Sequence, residues 1–189
     1  MSSWPDRYLR HFMRFFGKPF DVVSYRDEYD EHLRLAIFDH AYPGYRVYAS
    51  LGLSAHAHDL KGIGEAILLA DDAPRDVPAI FVNALFFLLA RRIDITSRFA
   101  IGGVEAVNPA FAEHFDRAAI YFAPAEGFFH GFEAVSGEEN IDEEGKVYQG
   151  IFISATEQDY LNRRGPAAFE ERFDAQEEDP CSLRRPPCV

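Results

Sequence analysis

The sequence predicts an α+β protein with a central mixed, largely antiparallel sheet flanked by helices. Three observations carry this expectation. Short β-type segments and helical segments are interspersed rather than strictly alternating, which argues against a doubly wound parallel sheet. The 189 residues include 18 Phe, 9 Tyr and 1 Trp, enough rings for a large aromatic core. The longest apolar run, Val77 to Ala90, is about fourteen residues, short of the ~20 that a membrane-spanning helix needs.

Element by element, the chain opens with an amphipathic helix. Trp4, Tyr8, Leu9, Phe12, Met13 and Phe16 recur at helical spacing, with Asp6, Arg7, Arg10 and Arg14 on the other face. Ser3 can cap it, Pro5 suits its first turn, and Gly17 with Pro19 ends it. Strands are expected at Phe20–Tyr25, Leu33–Phe38, Tyr45–Leu53 and Glu65–Ala70. Asp76 then introduces a helix running through Pro78 to Arg92, apolar all round and so buried on most of its circumference. From Ile93 to Pro109 the signals mix, and Gly102-Gly103 breaks a short β pattern. Strands follow at Ala118–Ala123 and Lys146–Ile153. Thr156-Glu157-Gln158-Asp159 has the spacing of a capping box, opening a helix that stops at Gly165-Pro166; Pro166 starts a last helix to Phe173. Residues 1–175 read as a single domain. From Gln176 onward, ending PCSLRRPPCV, the composition is that of a disordered acidic and proline-rich tail.

Charge is unevenly placed. The net −12 is concentrated in residues 133–144, which hold six acids and no base, and in 170–179, which hold six acids against Arg172. Such a distribution disfavours nucleic acid, which calls for a basic stripe, and favours a basic protein partner. The N-terminus lacks the clean apolar stretch of a secretory signal, so a cytoplasmic protein is expected. Cys181 and Cys188 both lie in the last nine residues, and whether they pair is open at this stage.

The search for chemistry finds little. His56-Ala57-His58-Asp59 is the most ligand-like cluster: in a strand, His56 and His58 would share a face, with a third ligand from His130, His11 or Glu65. A metal-dependent hydrolase using His56, His58 and Asp59 is therefore the rival reading. Gly62-Ile63-Gly64 lacks the third glycine and the following helix of a dinucleotide site. Ser54 lacks the second glycine of a nucleophile elbow. No catalytic residue, no cofactor and no metal is expected. Glu65, at the head of a buried strand, needs a partner, and an arginine is the expected one.

One series of segments resembles a known family. Tyr45–Ser54 reads YRVYASLGLS, a strand running straight into Gly52-Leu53-Ser54. Some ten residues on, Gly64-Glu65 opens the apolar strand AILLA, followed by the helix PAIFVNALFFLLARRI. The strand AAIYFAPAEG then ends at Pro124, and GIFISATEQDYLNRRGPAAFEERF gives strand, cap, helix and glycine stop. Order and spacing resemble the suppressor of fused (Sufu) domain over residues 30–175. The family usually has two prolines where this chain has Pro124-Ala125, and residues 126–145 match nothing in its pattern. The resemblance implies a Sufu-like fold and a non-enzymatic, protein-binding function. Its small stand-alone bacterial members further imply an immunity-type inhibitor that neutralises a toxin. Gly52, Leu53, Ser54, Glu65 and Pro124 are the signature positions, with structural roles expected for them. For a basic partner, Glu138, Glu139, Asp142, Glu143 and Glu144 are the expected contact residues, since they lie between two predicted strands.

Overall fold

Among the described residues the strands are β1 (Asp21–Arg26), β2 (His32–Tyr42), β3 (Tyr45–Leu51), β4 (Gly64–Asp71), β5 (Phe99–Gly102), β6 (Ala119–Pro124), β7 (Ala134–Ser136) and β8 (Glu144–Ile153). They form one sheet in the order β1-β2-β3-β4-β8-β6-β5, with β7 added beside β8. Every pairing is antiparallel except β4 with β8, so the mixed, largely antiparallel sheet is as expected. The computed structural model describes residues 3–42, 44–71, 74–126, 129–137, 143–176 and 178–189.

The helices are α1 (Trp4–Phe16), α2 (Ala57–Leu60), α3 (Val77–Arg91), α4 (Val104–Val107), α5 (Pro109–Phe115), α6 (Ala155–Arg164) and α7 (Pro166–Asp174). On one sheet face, Ile80, Phe81, Leu85 and Leu88 of α3 join Leu35, Leu68 and Phe122 in the main core. On the other face, Tyr8, Phe12 and Phe16 of α1 join Phe38, Val47, Ile67 and Leu69. Beside that second cluster, Leu161 of α6 and Phe169 of α7 cover Ala119, Tyr121 and Ile153. Each such side chain contributes roughly 1.5–3 kcal/mol on burial.

Local chemistry sets the boundaries. Ser3 Oγ accepts from the Asp6 amide and Gly17, at φ +78°, ends α1. The Tyr8 hydroxyl donates to the Lys146 carbonyl at 2.9 Å and fastens α1 to the start of β8. The capping box of α6 belongs to Ser154 and Glu157, two residues before the Thr156 start that the sequence suggested: the Glu157 amide donates to Ser154 Oγ and the Ser154 amide to Glu157. The mixed segment after Ile93 resolves into β5, α4 and α5, the last capped by Asn108, which accepts from the Phe111 amide at 2.9 Å.

Helix α3 is buried on most of its circumference, with Asn83, Phe87 and Ala90 facing outward and Phe87 46% exposed. One expectation fails. The C-terminal segment is not a loose tail. Leu183 is fully buried in the main core, and Arg185 and Ser182 are tied into the body. Composition suggested disorder, but Leu183, the Arg185–Glu157 pair and hydrogen bonds to Asp71, Arg117 and Phe152 dock the segment.

Candidate partner-binding site

The signature segment folds into a carboxylate knot. Strand β3 ends at Leu51, Gly52 turns at φ +144°, and a 3-10 turn spans Leu53–His56. The turn aims its amides inward at Glu65, which is fully buried. Glu65 Oε1 accepts from the Gly52 amide at 2.7 Å, the Ser54 amide at 3.1 Å and Ser54 Oγ at 2.6 Å. Its Oε2 accepts from Ser50 Oγ at 2.6 Å and the Leu53 amide at 3.2 Å. Ser50 Oγ in turn accepts from the Ala66 amide at 2.8 Å. The partner expected for Glu65 was an arginine; serines and backbone amides take that place. Burial pushes the Glu65 carboxyl above its ordinary range, and the hydrogen bonds from Ser50, Ser54 and the Gly52 and Ser54 amides oppose that shift.

The knot explains the motif residue by residue. Gly52 needs its glycine: the φ is one that side chains rarely adopt, and a Cβ would sit 2.9 Å from Leu33 Cδ2 and 3.1 Å from the His32 carbonyl. Leu53 is a fully buried core residue, and Ser54 gives both its amide and its hydroxyl to Glu65. Pro124 closes β6 opposite Tyr148, and the following Ala125 is buried with its amide on the Val147 carbonyl.

The histidine cluster does not converge. It lies in the 3-10 turn and α2 rather than in a strand, so residues two apart point in different directions. His56 Nε2 lies 3.4 Å from Glu31, Asp59 lies 3.5 Å from Arg92, and His58 is exposed. Of the proposed third ligands, His11 Nε2 faces the Phe132 carbonyl at 2.9 Å, Glu65 is held in the knot, and His130 is exposed on a turn. Among the described residues no three His, Cys, Asp or Glu side chains gather as a metal site would require. Instead, His56 and Asp59 line a groove of about 620 Å³ between the β1–β2 turn and the end of α3. Asp27, Glu28 and Glu31 form one wall, and Phe87, Arg91 and Arg92 form the other.

Of the acidic contact residues, Glu138, Glu139 and Asp142 lie outside the described residues. Glu143 and Glu144 stand where β7 meets β8: Ser136 pairs with Glu144, and the Gly137 amide donates to the Glu143 carbonyl. Glu144 also pairs with Lys146 on the surface. Glu143 and Glu144 are therefore held by the pairing of β7 with β8.

Sequence reasoning missed the interactions of the chain end. Arg185 and Glu157 form an ion pair at 2.6 Å with both side chains fully buried. Burial alone would raise the Glu157 carboxyl. Arg185 and the amides of Ser154 and Cys188 outweigh that and hold it below its ordinary range. The signal was present as an arginine pair, Arg184-Arg185, between prolines and a glutamate three residues after Ser154, but nothing in the sequence joins the two.

The geometry defines a three-layer α+β domain, and among the described residues no set of metal-ligating side chains converges. No protein-family model matches the chain, and no curated protein matches it. Among solved structures, the chain is similar to a suppressor of fused (SUFU) homologue from Neisseria gonorrhoeae FA 1090, with a TM-score of 0.69 and 14% identity. That match covers 98% of this chain and 97% of the homologue. It is also similar to a chain of the Sufu–Fu complex, with a TM-score of 0.66 and 10% identity over 96% of this chain and 90% of that one. The chain therefore has the suppressor of fused fold. Among the described residues, no helix is long and apolar enough to cross a membrane.

Proposed function

We propose that this chain is a non-enzymatic protein-binding domain, an immunity-type inhibitor that neutralises a toxin or similar basic protein partner in the cytoplasm. The observation that carries the reading is the full-length likeness to Sufu structures, one of which is in complex with a protein, Fu. One feature of the molecule supports it: Glu143 and Glu144 are held where β7 meets β8, a fixed acidic position from which to steer a basic partner.

The test is co-expression with the protein encoded in the neighbouring reading frame. The reading predicts that this chain forms a stoichiometric complex with that protein and relieves the growth arrest it causes. A neighbouring toxin that stays active and unbound at micromolar concentrations of this chain contradicts it.

A further inference from the structure

The pairing of β4 with β8 stops at Leu68 and Gly150, although β4 runs on to Asp71 and β8 to Ile153. The chain's own C-terminus bridges the two strand ends. Asp71 accepts from Ser182 Oγ at 2.6 Å and from the Leu183 amide at 2.7 Å. Across the gap, Arg185 Nη2 donates to the Phe152 carbonyl at 2.9 Å. We propose that residues 178–189 form a releasable clasp across the diverging ends of β4 and β8, locked by the Arg185–Glu157 pair and able to open while the rest of the fold stays intact.

The way the clasp is held supports release. Its apolar anchoring is slight: of residues 181–189 only Leu183 and Arg185 are buried, so most of the hold is polar. The polar hold centres on one carboxylate. Glu157 Oε1 accepts from Arg185 Nη1 at 2.6 Å and from the Cys188 amide at 3.0 Å, and Oε2 accepts from Arg185 Nη2 at 3.2 Å. Arg117, itself buried, donates to the Arg185 carbonyl at 2.6 Å, and its cation opposes that of Arg185. The charged and titratable groups facing the lock are therefore Glu157 from α6, Arg117 and Asp116 after α5, Asp71 from β4, and Cys188 from the clasp itself.

When Glu157 takes a proton, Arg185 becomes a buried cation without its counter-charge beside a second buried cation. That state is strongly unfavourable. Because residues 178–189 contribute no strand to the sheet, swinging them out returns Arg185 to water without breaking it, which is a local opening rather than global unfolding. Glu157 is held below its ordinary value of 4.5 only while the clasp is shut, so opening becomes progressively easier as pH falls below that value. Opening uncovers the Asp71 carboxylate and the Phe152 carbonyl where β4 and β8 no longer pair with each other.

The clasp carries its own reporters. Cys181 and Cys188 are free, and burial pushes each thiol up to about 12. The experiment measures the labelling rate of both thiols in the full chain with 4,4′-dithiodipyridine, normalised to glutathione at each pH. Near-UV circular dichroism and amide exchange of β4 and β8 are followed in parallel. The proposal predicts normalised labelling up to about four-fold faster at pH 4 than at pH 7, rising further at pH 3, with the near-UV signal and core protection retained. It also predicts that urea accelerates labelling far less than it accelerates global unfolding. Arg185→Met should label quickly at pH 7 with no further gain in acid. Labelling that tracks global unfolding in wild-type protein overturns the proposal, and this arm needs no variant. A folded Arg185→Met that labels as slowly as wild type overturns it as well.

Discussion

Glu65→Gln separates the two effects that meet in the knot. The charged carboxylate has no solvent contact, which disfavours it, yet five donors converge on it. Glutamine keeps the shape, removes the charge and replaces one acceptor oxygen by an NH2 group. Placed at Oε1, that group would face the Gly52 and Ser54 amides; at Oε2, it would face only the Leu53 amide. The second orientation strands fewer donors, because the Ser50 hydroxyl can rotate to accept. One stranded buried amide costs about 1–3 kcal/mol, and the remaining bonds lose the extra strength of a charged acceptor. Relief of the buried charge offsets part of this, leaving a net loss of about 2–3 kcal/mol, a large share of a typical ~5–15 kcal/mol stability. Urea unfolding at pH 7, followed by far-UV circular dichroism, measures it. Glu65→Ala, which leaves all five donors without an acceptor, should lose more. A Glu65→Gln protein as stable as wild type, or more stable, would show that the desolvation of the charge outweighs its donors, and the account of the signature motif would be wrong.

Other expected outcomes follow from the same geometry. Gly52→Ala should lose ~1–3 kcal/mol in the same urea assay, since it forces a side chain into a glycine conformation and toward Leu33. Phe81→Ala, deleting a fully buried ring, should cost ~3–5 kcal/mol, while Phe87→Ala on the open face of α3 should cost less than ~1 kcal/mol. Because the folded-state pKa of Glu157 is lowered, its contribution is present above pH 4.5 and is lost as pH falls through the folded value. Glu157→Gln should therefore be less stable than wild type at pH 7, and that gap should narrow progressively as pH falls below 4.5 in a pH series of urea titrations.

What was legible in the sequence was local. Ser3, Pro5 and Gly17 bracket α1 because caps act within one turn, and Gly165-Pro166 separates α6 from α7 for the same reason. The strands were legible from β-rich runs, and the fold class from their interspersion with helices. The errors share a different cause. Glu65 looked as though it needed a cation, because a sequence does not reveal that a turn at Gly52 gathers backbone amides into a single anion seat. His56 and His58 would pair only at a strand period, and the chain there is a 3-10 turn running into a helix. The clasp looked disordered because its partners, Glu157 and Asp71, lie 28 and 112 positions from the residues they hold. Which narrow face of α3 stays open, the one bearing Phe87, was not legible because an all-apolar helix gives no sign of which side meets the sheet.

The binding account is tested most directly by association kinetics with a confirmed protein partner, comparing two variants with wild type. In the first, Glu138, Glu139, Glu143 and Glu144 become Gln and Asp142 becomes Asn; in the second, His56 and His58 become Ala. If the β7–β8 hairpin steers a basic partner, the first variant should associate ~10-fold more slowly at low salt, with the difference shrinking as salt rises. The second should associate at the wild-type rate. An unchanged rate for the charge variant at low ionic strength, or a loss confined to the histidine variant, would contradict the account.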